Sequence, residues 1–184
     1  TTASCDTTPP TGTININNSA AYATSVNVTL ALSATDPSGV SQMCVSNTTT
    51  CTAWETYATS KTWTLTTGDG TKNVYVFFKD AVGNTNTTPF LDTIILDTIA
   101  PTYGTLSASP GDSQIALSWS GITDPVSGIK EYKLVYSTLS TPPVNCSSGT
   151  QIYAGTATTY THTALTNSTT YFYRLCATDN AGNT

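Results

Sequence analysis

The chain has 184 residues, of which 9% are charged, against roughly a quarter in ordinary soluble domains. Its six lysines and arginines are scattered singly and the formal net charge is -5, so there is no basic patch to track phosphates, and nucleic acid is excluded as an expected partner. No apolar run approaches the roughly 18 residues that span a bilayer, so membrane insertion is not expected either.

Forty-one residues are threonine. Threonine is β-branched, stiff at χ1 and poor in helices, so a surface made of it suits strands. The start, Thr1-Thr2-Ala3-Ser4-Cys5, has neither the basic nor the apolar part of a signal peptide. The chain is expected to be a mature or internal piece of an all-β protein.

Strand signals follow in order. Val26, Val28, Leu30 and Leu32 alternate with polar residues and give one long strand with an apolar face. Residues 40–46 and 51–57 are expected to form a hairpin around Asn47-Thr48-Thr49-Thr50. Trp63-Leu65, Val74-Val76-Phe78 and Phe90-Ile94-Leu96 supply further strands. After Asp97-Thr98-Ile99-Ala100-Pro101 the pattern restarts with Ile115-Leu117-Trp119, Tyr132-Leu134-Tyr136 and Tyr171-Tyr173-Leu175-Ala177. No segment carries a helical period.

Three motifs recur in the same order in both halves, which marks one plan used twice. Asp6-Thr7-Thr8-Pro9-Pro10-Thr11 matches Asp97-Thr98-Ile99-Ala100-Pro101-Thr102. Thr35-Asp36-Pro37-Ser38-Gly39-Val40 matches Asp124-Pro125-Val126-Ser127-Gly128-Ile129, with Thr123 before it. Asp80-Ala81-Val82-Gly83-Asn84-Thr85 matches Asp179-Asn180-Ala181-Gly182-Asn183-Thr184.

Residues 8–98 resemble bacterial Ig-like repeats, through Ser33-Ala34-Thr35-Asp36, Trp54-Glu55-Thr56-Tyr57 and Lys79-Asp80-Ala81-Val82-Gly83-Asn84. Residues 100–184 resemble a fibronectin type III domain: Leu117-Ser118-Trp119 looks like its B-strand tryptophan, and Leu165 through Thr170-Tyr171 like its tyrosine corner. The resemblance implies two tandem antiparallel β-sandwiches over 8–98 and 99–184, preceded by an N-terminal strand and linker over 1–7. It implies little about function, because such sandwiches host many roles.

A fibronectin-like module has a last strand, G, beside strand F, and none follows the turn at Asp179–Thr184. Residues Thr1, Thr2, Ala3, Ser4 and Cys5 precede a linker and belong to no strand of the first module. Placed after Thr184 they would supply the turn, a short G strand and the next linker. Three explanations stand: one period of a longer tandem protein, strand exchange between copies, or a clipped last module. A donated strand this short and polar would bind weakly without covalent support.

Five cysteines and the absence of any CxxC spacing fit a secreted, oxidising setting with two disulfides and one thiol over. Cys44 and Cys51 flank the hairpin turn and are expected to bridge. Cys176, on the outward face of its strand, pairs with Cys146 or with Cys5 of a following unit, and spacing does not choose between them. Cys5 is then the odd thiol, a candidate for bridging between molecules.

In an Ig-type sandwich the BC loop, the FG loop and the entering linker share one end. There Asp6, Asp36, Asp80 and Asn84 could converge, as could Asp97, Asp124, Asp179 and Asn183, and calcium would be the cation for such oxygen sets. The simpler reading is that each aspartate caps its own turn. His162 is expected to be an exposed strand residue. Trp54 beside Glu55 is a weak candidate for a glycan contact.

No nucleophile elbow or phosphate loop is present, so an enzyme is not expected. The leading expectation is a structural repeat or subunit of an extracellular or cell-surface bacterial filament or adhesin stalk. Its partners would be copies of itself or adjacent repeats, with glycans second. The alternative is a spacer or carbohydrate-binding accessory module of a large secreted enzyme.

Overall fold

A computed structural model describes residues 6–184. The chain divides into two compact units, one running through Thr98 and the other Ile99–Thr184. Both are built from sheets whose strands pair antiparallel, except for one short parallel pairing of Tyr22–Ala23 with Ile95–Leu96 in the first, and the all-β expectation holds.

The first unit holds β1 (Thr11–Ile16), β2 (Tyr22–Ala23), β3 (Asn27–Thr35), β4 (Val40–Ser46), β5 (Glu55–Thr56), β6 (Ser60–Thr64), β7 (Gly70–Asp80) and β8 (Phe90–Leu96). They form a sheet in the order β1-β3-β6 and a second in the order β2-β8-β7-β4-β5. Alternation decides what lies between them: β3 buries Val28, Leu30 and Leu32, and β7 buries Val74, Val76 and Phe78. β8 adds Ile94 and Leu96, and Phe90 packs on the cluster from its edge. Fixing β8 in place, β7 pairs with it over seven positions, from Gly70 opposite Leu96 to Val76 opposite Phe90.

The expected strand at 51–57 shrinks to Glu55–Thr56. Its start is held instead by the Cys44–Cys51 disulfide, while Tyr57 turns inward, its hydroxyl accepting the Ala34 N–H at 3.0 Å and its ring standing edge-on to Phe78.

The second unit holds β9 (Thr105–Gly111), β10 (Gln114–Ser120), β11 (Ile129–Ser137), β12 (Thr150–Gly155), β13 (Thr159–Thr163) and β14 (Phe172–Asp179). Its sheets run β13-β10-β9 and β12-β11-β14. Leu117 and Trp119 of β10 face Tyr132 and Leu134 of β11 across the core, with the Trp119 ring edge-on to Tyr132 at 5.7 Å. β9 is almost wholly exposed and carries Pro110, which a strand tolerates at an edge, where its missing N–H breaks no ladder bond. The Tyr171 hydroxyl accepts the Thr166 N–H at 3.0 Å, the bond expected of a tyrosine corner.

The two units follow one strand order. β1-β3-β6 corresponds to β9-β10-β13, and β5-β4-β7 to β12-β11-β14. In the first unit β7 is paired on both sides, by β4 and β8. Among the described residues of the second, β14 is paired by β11 alone.

Candidate functional site

The recurring turns have the same bonding in both units. Asp80 Oδ1 accepts the N–H groups of Val82, Gly83 and Asn84 at 3.0, 2.6 and 2.8 Å, and Asp179 Oδ1 accepts those of Gly182 and Asn183 at 2.6 and 2.9 Å. Both turns pass through a glycine at φ 105°, Gly83 and Gly182, in the left-handed region that excludes most side chains. Asp36 Oδ1 binds the Ser38 N–H at 2.9 Å, and Asp124 Oδ1 the N–H groups of Val126, Ser127 and Gly128 at 3.0, 2.7 and 2.9 Å. Asp6 Oδ1 takes the Thr8 N–H at 2.9 Å and its hydroxyl at 2.6 Å.

These bonds set the electrostatics. The Thr8 hydroxyl and N–H hold the Asp6 carboxyl down at about 2. At Asp80, burial alone would raise the carboxyl, but the Asn84 side chain and the N–H groups of the turn outweigh it and the net direction is down. Asp124 behaves alike, burial being outweighed by the N–H groups of Ser127, Gly128 and Val126.

In the first unit the structure brings Asp6, Asp36 and Asp80 together, with carboxylate oxygens all within 4.8 Å of one another. Asp36 Oδ2 is closed to solvent and accepts no hydrogen bond. Asn84 joins this group as a donor, its Nδ2 reaching Asp80 Oδ2 at 2.6 Å and the Asp6 carbonyl at 3.1 Å, so it does not serve as an oxygen ligand there. In the second unit Asp124 and Asp179 lie within the same 4.8 Å. Asn183 again donates, to Asp179 Oδ2 at 2.9 Å and to the Ile99 carbonyl at 3.4 Å. Asp97 follows β8 in the first unit, its N–H donating to the Ala23 carbonyl at 2.9 Å.

Within the first unit, Asp6, Asp36 and Asp80 are placed where they could share a cation. Each has committed Oδ1 to turn donors, however, and three second oxygens fall short of the six to eight that calcium takes. What the geometry does without further ligands is cap turns.

Both pairs of cysteines are bonded: Cys44 to Cys51, with Cα atoms 5.8 Å apart, and Cys146 to Cys176, at 6.2 Å. The alternative pairing of Cys176 with Cys5 is therefore not the one adopted. Thr1, Thr2, Ala3, Ser4 and Cys5 lie outside the described residues.

Two weak candidates change character. His162 is half-buried rather than exposed: it sits among Tyr136, Tyr171 and Tyr173, with Nδ1 3.0 Å from the Tyr173 hydroxyl. Burial pushes the imidazole below its ordinary range and the Tyr173 phenol up to about 12, Tyr171 and Tyr136 adding to the latter. The signal was there in the aromatic alternation of the neighbouring strand, since opposed sheets interleave their inner faces. Trp54 and Glu55 are each occupied, Trp54 by the Lys79 ammonium 4.1 Å above its ring and Glu55 by Lys61 at 2.8 Å.

A further feature of the second unit is a cleft of about 830 Å³ along the unpaired edge of β14, lined among others by Leu106, Ile122, Val144, Tyr173, Leu175 and Ala177. Every residue from Phe172 to Thr178 is partly exposed to it or to solvent.

No family model and no curated protein matches the chain. Among solved structures, the fibronectin(III)-like modules of Clostridium thermocellum CbhA match at a TM-score of 0.53 and 15% identity, over 92% of this chain and 87% of theirs. A tetra-tandem repeat from the extending region of a large adhesion protein gives 0.28 and 16%, over 94% of this chain and 50% of that one. The central fibronectin-III array of RIM-binding protein gives 0.33 and 13%, over 94% and 59%. The likeness to the first of these, with the sheet order above, shows a fibronectin III-like β-sandwich fold.

Proposed function

We propose that the chain is a structural repeat or subunit of an extracellular bacterial filament or adhesin stalk, extending head to tail and performing no catalysis of its own. The observation that carries this reading is the repetition of entry and turns. Asp6 caps the entering linker through Thr8, and Asn84 ties the Asp6 carbonyl to the Asp80 turn. In the second unit Asn183 ties the Ile99 carbonyl to the Asp179 turn in the same way. A module whose entering linker is clamped to its own loops passes load along the chain through hydrogen bonds instead of through a loose tether.

Two disulfides and a surface of threonine with few lysines and arginines suit persistence outside the cell, since oxidising compartments retain disulfides and trypsin-like proteases find few sites. The partners of this reading are copies of the chain or adjacent repeats, with the N-terminal strand completing a neighbouring second unit. Electron microscopy of native material tests it. Filaments or stalks with a repeat of two sandwich lengths are expected. A globular enzyme carrying the chain as a spacer, or a monodisperse monomer retained on a glycan array, would overturn it.

A further inference from the structure

At the end of the second unit away from the Asp179 turn, three tyrosines meet the chain's one histidine. The ring centroid of His162, on β13, is 4.7 Å from that of Tyr136 on β11, 6.0 Å from Tyr171 and 5.9 Å from Tyr173 on β14. Tyr136 in turn lies 5.9 and 6.3 Å from the rings of Tyr171 and Tyr173. The core pattern makes this cluster, because the period of two that points Tyr160 inward from β13 also points His162 there, and Tyr173 follows Leu175 and Ala177 on β14.

The tyrosine hydroxyls are not equivalent. That of Tyr171 accepts the Thr166 N–H, as that of Tyr57 accepts the Ala34 N–H and that of Tyr153 the Ala157 N–H. A backbone N–H cannot take up a proton. The Tyr173 hydroxyl stands 3.0 Å from His162 Nδ1, and a neutral imidazole can. Burial holds this imidazole below its ordinary range, hence neutral, and pushes the phenol up to about 12, hence protonated. Even so the phenol is the stronger acid of the two neutral groups, so it donates to Nδ1 while the ring's own proton sits on Nε2. A phenol gives up one electron more readily when its proton leaves in the same step, because the alternative is a radical cation in a half-buried place.

We propose that Tyr173 is a one-electron redox site, giving an electron to an oxidant of the oxyl-radical class and its hydroxyl proton to His162 Nδ1. In this step the Tyr173 O–H bond breaks and an Nδ1–H bond forms. The phenol becomes a neutral phenoxyl radical, the imidazole becomes imidazolium, and the oxidant is reduced by one electron to its anion. A one-electron reductant of the ascorbate class reverses the step, with His162 returning the proton. Tyr171, whose hydroxyl is bonded to an N–H, has no base there to receive its proton. A hole formed on Tyr171 can pass by way of the Tyr136 ring and settle on Tyr173. The site goes beyond the extension reading and does not rest on it.

The test is pulse-radiolytic oxidation of the full chain by the carbonate radical, an oxyl radical, with the phenoxyl product followed by its visible absorbance and by electron paramagnetic resonance. Tyr173→Phe, Tyr136→Phe and His162→Gln are run beside it, and near-UV circular dichroism confirms that each is folded. Tyr173→Phe is expected to lose the long-lived radical and Tyr136→Phe to keep it. In His162→Gln, whose amide cannot hold the proton, the Tyr173-dependent component should form about a hundredfold more slowly. Added imidazole should restore that component in His162→Ala, which a merely structural histidine would not allow. A long-lived radical that persists at the native yield in Tyr173→Phe, or a His162→Gln chain oxidised as fast as the native one, overturns the proposal. Should a variant fail to fold, the native chain alone decides: the Tyr173 proton moves in the step, so radical formation that is no slower in D2O than in H2O also overturns it. Head-to-tail extension is untouched by any of these results and is decided by microscopy.

Discussion

β7 and β14 occupy the same place in two copies of one plan, yet among the described residues β7 has neighbours on both sides and β14 on one. The consequence is in the cores. Val74, Val76 and Phe78 of β7 are fully buried, whereas Tyr173, Leu175 and Ala177 of β14 are half-buried beside an open cleft. The first unit's buried apolar cluster has fourteen members and the second's four, so the second must draw more of its stability from other sources. Its one large cross-link, and the ring of Tyr136, His162, Tyr171 and Tyr173 that closes one part of the interior, are those sources.

Removing the disulfides tests this first and with the largest effect. In the chain-entropy account the stabilisation grows with the loop closed. Cys146 and Cys176 are 30 residues apart and Cys44 and Cys51 only 7, which corresponds to about 3.5 kcal/mol for the second unit against about 2.5 kcal/mol for the first. The Cys146→Ala/Cys176→Ala chain is therefore expected to lose the second unit's calorimetric transition at 37 °C while the Cys44→Ala/Cys51→Ala chain keeps both. Equal losses would mean that the cores, not the cross-links, separate the two units.

Two glycines probe the cleft more finely. A Cβ on Gly12 would come within 2.4 Å of the Ser33 carbonyl oxygen and 2.6 Å of Phe78 Cε2, and one on Gly104 within 2.2 Å of the Ser120 carbonyl oxygen and 2.4 Å of Ile122 Cγ1. Both sit at the start of their unit's first edge strand, where the chain lies close over the next strand. Overpacking such a position costs about 1–3 kcal/mol. Phe78 is fully buried and has nowhere to go, whereas Ile122 borders the cleft and can give way into it. In both, the nearest atom is a backbone carbonyl oxygen that cannot step aside, so Gly12→Ala and Gly104→Ala should both fall near the top of that range, Gly104→Ala lower only by what Ile122 yields into the cleft, read from urea midpoints. The reverse order would mean that the cleft's wall is rigid.

How much of this was legible depended on the kind of signal. Strands with a strict alternation, such as Val28-Leu30-Leu32 and Leu117-Trp119, announce themselves because one face must be apolar. β1, β9 and β12 do not: Thr-Gly-Thr-Ile-Asn-Ile and Thr-Leu-Ser-Ala-Ser-Pro-Gly are edge strands with few apolar residues, specified by the neighbour they pair with. The turn aspartates were visible as repeats, but whether their second oxygens meet or diverge is a matter of three loops from distant parts of the chain. Asn84 and Asn183 turn their amide nitrogens to the carboxylates, and sequence does not say which end of an amide turns inward. Gly12 and Gly104, a fourth shared feature, escaped notice because Thr-Gly-Thr and Tyr-Gly-Thr are too short to register as a motif, although the close approach they permit is the same.

Acid should separate the two units with the smallest effect and in a definite order. His162 has its imidazole pushed down by burial from an ordinary 6.5, so the unfolded chain binds the proton more readily than the folded one. The stability this contributes to the second unit is complete above pH 6.5 and is lost as the pH falls below it. Asp6 and Asp80 of the first unit, and Asp124 of the second, are also pushed down, from 3.8, Asp6 to about 2. Their contribution is present above the ordinary carboxylate range and is lost only as pH falls through that range and below it. Calorimetry at pH 7.5, 5.5 and 3.5 is thus expected to show the second unit's midpoint falling by pH 5.5 while the first unit's holds until below pH 4. His162→Gln should abolish the early fall and leave the late one. Adding a chelator at pH 7.5 should leave both midpoints in place if Oδ1 capping is what holds the turns; a drop confined to the first unit would instead assign a cation to Asp6, Asp36 and Asp80, where Asp36 Oδ2 has no donor.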